Sequence, residues 1–135
     1  MTDILVSKDD GQVVTLTLND APANCLTMEM MSAIKMEIDR VNQSKDHKLV
    51  IFESSNEKIF CSGHSFNEVQ EMIKNNDMKS QELLFAECSE MLMKIRKSPK
   101  IFVAKVRGIA TAGGLGLVSI MAVSYTHLTL PTTGI

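Results

Sequence analysis

Hydrophobic and polar residues form four short segments that predict β-strands. Residues 3–7 and 12–18 are rich in β-branched side chains, and the second segment, QVVTLTL, alternates between two faces. The DDG sequence at residues 9–11 has the composition of a tight turn between them. Residues 49–54 and 101–106 are continuous apolar runs, which is the pattern of strands buried on both faces.

Apolar residues three or four positions apart predict three helices. Thr27 is a suitable N-cap for the first helix. Polar residues 74–80 separate the second from the third, which ends before Pro99 because the residue before proline disfavours the α conformation. Strands that alternate with helices predict an α/β fold. The three apolar stripes are Met28, Met31, Ile34, Ile38 and Val41; Phe66, Val69, Met72 and Ile73; and Leu84, Cys88, Met91, Leu92 and Ile95.

Composition narrows the class of protein. The chain has 135 residues, 44% of them hydrophobic, which suits one globular domain. Its 14 basic and 16 acidic residues give a formal net charge of −2, so we expect no nucleic-acid partner. No apolar run has the roughly 18–20 residues of a membrane span, so we expect no membrane association. The N-terminus lacks the basic region of a targeting peptide. We therefore expect a cytoplasmic protein, or one of the mitochondrial matrix if the N-terminus is incomplete.

Three cysteines, Cys25, Cys61 and Cys88, are irregularly spaced, as expected for reduced thiols. Cys61 and His64 have a C-x-x-H spacing that could supply two metal ligands, but no second paired motif accompanies them. We therefore expect no metal site. A small buried thiol is a better interpretation of Cys61 than a nucleophile.

Two loops could carry chemistry, and each follows a strand-like segment. They are FCSGHSF at residues 60–66 and GIATAGGLG at residues 108–116. Each would present free backbone N–H groups near the start of a helix, and two such groups aimed at one point form an oxyanion hole. The alternative is that the glycines only permit close packing of helix and strand. Neither loop contains a phosphate-loop or dinucleotide-binding motif.

In their order along the chain, three blocks resemble the enoyl-CoA hydratase/isomerase (crotonase) superfamily. They are NDAPANCL at residues 19–26, IFCSGH at 59–64 and KIFVAKVRGIATAGG at 100–114. The family has N-x-P-x-N-A-L, then F-(C/S)-x-G-x-D, then P-x-I-A-x-V-x-G leading into a glycine-rich helix start. The Gly63-His64 pair and the G-I-A-T-A sequence are most similar to the enoyl-CoA hydratase domain-containing protein 3 type.

The resemblance implies an α/β fold of repeated ββα units in a spiral that binds acyl-CoA, with a homotrimer as the full-length assembly. No cofactor is implied, because CoA belongs to the substrate. The backbone N–H groups of His64 and Gly113 are the implied catalytic oxyanion hole for the thioester carbonyl. The residues implied to bind substrate are Cys25, Cys61, Gly63, His64, Ser65, Phe66, Gly113 and Gly114.

Three departures from the family pattern bear on activity. The first acid/base glutamate of the hydratases falls on Gly116, and the second would lie at or beyond the end of this chain. The family aspartate after Gly-x is Ser65. Residues 1–122 resemble the N-terminal part of the domain, truncated after the glycine-rich helix start, whereas residues 123–135 resemble none of its segments. A non-catalytic acyl-CoA-binding protein and an inactive fragment are therefore the alternatives to an enzyme.

Overall fold

The computed structural model describes residues 3–121 and the backbone of residues 123–126. Strands and helices alternate along most of the chain, as the hydrophobic pattern predicts. In chain order the elements are β1 (Leu5–Asp10), β2 (Val13–Leu18), α1 (Met28–Gln43), β3 (Leu49–Ser54), β4 (Ile59–Cys61), α2 (Phe66–Lys74), α3 (Met78–Lys97), β5 (Ile101–Val106), β6 (Ile109–Ala110), α4 (Gly113–Ser119) and β7 (Val123–Thr126).

A five-stranded sheet in the order β1-β2-β3-β5-β7 forms the centre of the fold. β1 and β2 pair antiparallel, and the other neighbours pair parallel. The turn between β1 and β2 lies at Gly11 and Gln12, so Asp9 and Asp10 belong to β1 and not to the turn predicted for them. Gly11 has φ +61°, a conformation that glycine adopts without strain.

Two strand pairings of the structure involve strands that the sequence did not predict. β7 runs parallel to β5, with Val103 opposite Val123. β4 and β6 form a separate two-stranded parallel sheet. This small sheet places the end of β4 beside the start of α4, and it therefore brings the two glycine loops together.

α1 contacts β1 and packs against α3, and buried residues of both helices and of the large sheet form one hydrophobic core. The predicted stripe of α1 is buried except for Met28, which is partly buried. In the predicted stripe of α3, Leu84, Met91 and Ile95 are buried, and Cys88 and Leu92 are partly buried. α3 begins at Met78, inside the segment predicted to be a polar connection, because Asp77 caps it and accepts a hydrogen bond from Ser80 N. The buried sheet residues that complete this core are Val14, Leu16, Leu18, Val50, Phe52, Phe102, Ala104 and Val106.

The short helix α2 differs from the other two predicted helices. Its apolar stripe does form a helix, but none of its residues is buried among the described residues. Phe66 is 76% exposed and Ile73 is 61% exposed. Within residues 3–121, no helix is long and apolar enough to cross a bilayer.

Candidate functional site

The first glycine loop connects β4 to α2 and is held by backbone hydrogen bonds to the segment before α1. Ser62 N donates to Ala23 O at 3.1 Å, and Leu26 N donates to Gly63 O at 2.7 Å. Gly63 has φ +91°, which strongly favours glycine. Ser65 is the N-cap of α2 and accepts a hydrogen bond from Glu68 N. Ser65, which stands where the family has aspartate, therefore keeps a capping role in its loop.

The second loop connects β6 to α4 and lies against the first. Thr111 N donates to Cys61 O at 3.1 Å. Ala112 has φ +50° and ψ −123°, a conformation that costs energy for any residue with a Cβ. α4 begins at the next residue, Gly113. A Cβ on Gly114 would overlap the carbonyl group of Cys61, so glycine is required there for the close approach of the two loops.

The two loops meet at Gly63 and Gly113. A Cβ on Gly63 would come within 2.8 Å of Gly113 N, and a Cβ on Gly113 would lie 3.4 Å from Gly63 Cα. Among the hydrogen bonds of the described residues, none is donated by the backbone N–H of His64 or of Gly113. Both N–H groups are therefore without a hydrogen-bond acceptor in the part of the chain that is described.

The side chain of Asn24 holds together the segments that border the two glycine loops, a role that the sequence analysis did not identify. Its side chain is completely buried, accepts a hydrogen bond from Asp20 N at 2.7 Å and donates to Ser54 Oγ at 2.8 Å and Phe60 O at 3.0 Å. These bonds join the loop before α1 to the end of β3 and to β4. Its φ of +48° favours asparagine over most side chains. Asn24 is the last asparagine of the NDAPAN sequence at residues 19–24, and this motif is the sequence feature that could have pointed to its role.

The thiol of Cys61 is not activated. Cys61 is completely buried, and burial raises its pKa to about 11. Cys25 is half-buried, with its Sγ 3.5 Å from Ser62 Oγ. A raised pKa leaves little thiolate, so Cys61 fits the buried thiol and not a nucleophile. Among the described residues, His, Cys, Asp and Glu side chains form no group of three that could hold a metal.

The imidazole of His64 lies between the two loops and α3. Its Nδ1 is 3.3 Å from Leu26 O, and its ring is nearly perpendicular to that of Phe85, with the centroids 5.5 Å apart. A Cβ on Gly113 would lie 3.8 Å from His64 Cδ2. The side chain is thus fixed beside the junction of Gly63 and Gly113.

Three further residues near the loops are Phe66, Glu68 and Gly116. Phe66 begins α2 and is exposed, so it borders the loop without packing into the core. Glu68 has a buried Oε1 with no hydrogen-bond partner among the described residues, a feature that the sequence did not indicate. Nothing lies within 4 Å of a Cβ built on Gly116, so open space surrounds the position where the hydratases carry a glutamate.

Comparison with known proteins establishes the family. A sequence model of the family described as enoyl-CoA hydratase/isomerase matches residues 13–126. The chain belongs to the enoyl-CoA hydratase/isomerase family. The mouse enoyl-CoA hydratase domain-containing protein 3, mitochondrial, is 31% identical over 112 residues, which cover 83% of this chain and 36% of the relative. The zebrafish 3-hydroxyisobutyryl-CoA hydrolase, mitochondrial, is 30% identical over 131 residues, which cover 93% of this chain and 34% of the relative.

A solved structure confirms the crotonase-like α/β fold predicted from the sequence. The enoyl-CoA hydratase of Bacillus anthracis superposes with a TM-score of 0.85 at 20% identity, over 92% of this chain and 47% of that one. The chain thus spans about a third of the length of the curated relatives and about half of the matched structure. The family match ends at residue 126, the last residue of β7. The predicted boundary at residue 122 stays a prediction, and residues 127–135 of the predicted tail lie outside the described residues.

Proposed function

We propose that this chain binds acyl-CoA thioesters and polarises the thioester carbonyl with the backbone N–H groups of His64 and Gly113. The observation that carries the proposal is the close approach of Gly63 to Gly113. It lies beside two backbone N–H groups, of His64 and Gly113, that donate no hydrogen bond within the described residues. An acyl thioester gains negative charge on its carbonyl oxygen when it becomes an enolate or a tetrahedral intermediate. Each donor aimed at that oxygen is worth about 2.7–4 kcal/mol in a transition state.

The surrounding residues support a preorganised hole. Leu26 N donates to Gly63 O, and Thr111 N donates to Cys61 O, so the first loop is tied to the segment before α1 and the second loop is tied to the first. Since main-chain atoms supply both donors, the side chain at position 64 does not have to take part in the polarisation. The proposed substrate-binding residues Cys25, Cys61, Gly63, Ser65, Phe66 and Gly114 all lie on or against these two loops.

The reaction we favour is that of an enoyl-CoA hydratase-like lyase or isomerase. A second candidate is a non-catalytic acyl-CoA-binding protein, which the lack of a side chain at Gly116 favours, because hydration needs a group that moves protons. The mitochondrial names of the relatives support the mitochondrial matrix over the cytoplasm. A homotrimer of the longer protein stays a proposal from the family resemblance.

Binding of a thioester and of its thioether analogue tests the hole. Titration calorimetry with butyryl-CoA and with S-butyl-CoA, which lacks the carbonyl, measures what the two N–H groups contribute. We expect the thioester to bind about ten-fold or more tightly, because it gains two hydrogen bonds. Gly63→Ala should remove this preference, since its Cβ would press on Gly113 N.

Gly11→Ala is the matched control. Gly11 also has a positive φ, but nothing lies within 4 Å of its Cβ position. This variant should keep the preference while suffering the same kind of backbone strain. Equal affinity of the original chain for thioester and thioether would contradict the oxyanion hole. Turnover of crotonyl-CoA, followed by loss of absorbance of the conjugated thioester, then separates an enzyme from a binding protein.

A further inference from the structure

Strand β1 forms one edge of the large sheet, and half of its backbone groups point away from that sheet. Asn19 N donates to Ile4 O at 2.7 Å, so residues 4, 6, 8 and 10 direct their N–H and C=O groups toward β2. In an antiparallel pair the alternate residues direct theirs to the other side. These outward residues are Leu5, Ser7 and Asp9.

The outer side of β1 is regular and uncovered. β1 pairs with β2 over its whole length without a bulge, and its residues from Val6 to Asp10 are exposed. Within residues 3–121, no backbone hydrogen bond outside the helices and ladders involves Leu5, Ser7 or Asp9. Proteins often protect a sheet edge with a proline or a bulge, and β1 has neither. Its outward groups can therefore pair with another strand.

The charged side chains of β1 leave this edge accessible. The side chain of Asp9 lies on the α1 side of the sheet, where Arg40 donates to its two carboxylate oxygens at 2.8 and 2.9 Å. Arg40 also donates to Ser7 Oγ at 2.9 Å. Lys8 and Asp10 alternate with these residues, so their side chains lie on the opposite face of the sheet. The one charge among the outward residues is therefore neutralised before any strand is added.

A second copy of β1 fits this edge in one two-fold register. When two antiparallel copies are centred on Ser7, this residue faces its own counterpart, and Leu5 faces Asp9 of the second copy. All outward residues then pair, and each pair exchanges two N–H···O bonds, which makes about six bonds in all. Lys8 faces Val6 of the second copy, so no like charges lie directly opposite each other, an arrangement that would destabilise the pairing.

The two neighbouring two-fold registers are less favourable. A register centred on Lys8 places the two Lys8 side chains directly opposite, and it leaves Leu5 outside the paired part of β1. A register centred on Val6 places Asp9 opposite Asp3 of the second copy. In the register centred on Ser7, the two Lys8 side chains are only diagonal neighbours, about 7–8 Å apart. Charge and hydrogen bonding therefore select the same register.

We propose that β1 is a dimerisation edge, at which two copies of this chain pair antiparallel about Ser7 and join their sheets into one. The contact uses no residue of the two glycine loops, so the inference is independent of the proposed function. It is only one strand wide. We therefore expect a transient dimer with a dissociation constant on the order of 100 μM.

The mass of the chain as a function of concentration tests the dimer. Light scattering should give a weight-average mass that rises toward that of a dimer between about 10 μM and 1 mM. Ser7→Pro removes an outward N–H without touching the ladder to β2, and it should raise the dissociation constant at least about ten-fold. Ser7→Ala is the matched control. It loses the same contact with Arg40 but keeps the N–H, so its dissociation constant should stay within about two-fold.

Amide hydrogen exchange of the original chain, followed by NMR, locates the contact without a variant. Exchange at Leu5, Ser7 and Asp9 should slow about five-fold as the concentration rises from about 10 μM to 1 mM, because most of the chain is then dimeric. The amides of Val6 and Lys8 already bond to β2, so their exchange should not change with concentration.

Three outcomes would overturn the inference. A constant monomer mass up to about 1 mM refutes the dimer. Association that survives in folded Ser7→Pro, or that leaves exchange at Leu5, Ser7 and Asp9 unchanged, places the interface elsewhere. Slow exchange of these amides at every concentration means that another segment of the same chain covers the edge. If circular dichroism shows that Ser7→Pro does not fold, the exchange measurement on the original chain decides.

Discussion

Replacing Asn24 should loosen the whole loop region beneath the candidate site. Asn24→Ala removes three hydrogen bonds of 2.7–3.0 Å from a completely buried side chain. It also leaves an alanine at φ +48°, which costs about 1–2 kcal/mol. With about 0.5–1.5 kcal/mol for each bond, we expect the free energy of unfolding to fall by about 3–5 kcal/mol. That is a large fraction of the roughly 5–15 kcal/mol of an ordinary domain.

Two companion variants separate the causes. Asn24→Gly loses the same bonds without the strain at positive φ, so it should be less damaging than alanine by about 1 kcal/mol. Asn19→Ala removes one exposed bond to Asp3 O and should cost about 0.5 kcal/mol or less. Urea unfolding followed by circular dichroism measures all three. Loss of less than about 1 kcal/mol in Asn24→Ala, or equal losses in Asn24→Ala and Asn19→Ala, would refute the anchoring role.

Three further predictions concern charge, packing and thiol reactivity. The hydrogen bond from Arg40 lowers the pKa of Asp9 below its ordinary value of 3.8. The ionised carboxylate therefore stabilises the fold above pH 3.8, and this contribution is lost as the pH falls through the lowered pKa. On acidification, the Tm of Asp9→Asn should therefore drop less than the Tm of the original chain. Gly114→Ala should lower the Tm because its Cβ would overlap the Cys61 carbonyl, whereas Gly116→Ala should raise it slightly because its Cβ meets nothing within 4 Å and alanine favours a helix. Cys61 should react with a thiol reagent much more slowly in the folded chain than in urea, since burial raises its pKa to about 11; equal rates would contradict this.

The parts of the fold that local patterns determine were predictable. Most residues of the α1 and α3 stripes are buried, as predicted. The apolar runs of β3 and β5 do form strands, but each strand is fully buried on one face only, and Ile101 is exposed. The small strands β4 and β6 and the strand β7 were not predicted, because their identity comes from a distant partner and not from their own residues. The start of α3 was misplaced because Met78 and its neighbours are polar or exposed, and only the cap at Asp77 marks it.

The candidate site was predictable in its location but not in its surroundings. The glycine-rich sequences predicted which two loops would form the site, and these loops do meet at Gly63 and Gly113. The burial of Asn24 and the orphaned Oε1 of Glu68 depend on which strands lie next to them, which the sequence alone did not fix. Phe66 continues the apolar stripe of α2, yet its side chain is exposed at the start of that helix. Its part in binding substrate stays a prediction.

The proposed main-chain donors would separate the location of the site from its reaction chemistry. An oxyanion hole made from His64 N and Gly113 N depends on the path of the backbone, so its sequence signal is the set of glycines that permit that path. Proton transfer and substrate selection depend on side chains, and these can change without disturbing the hole. Gly116 lacks such a side chain. Substitutions at Gly63 should therefore weaken the binding of every thioester, because they disturb the backbone path and not a side chain that contacts one acyl group.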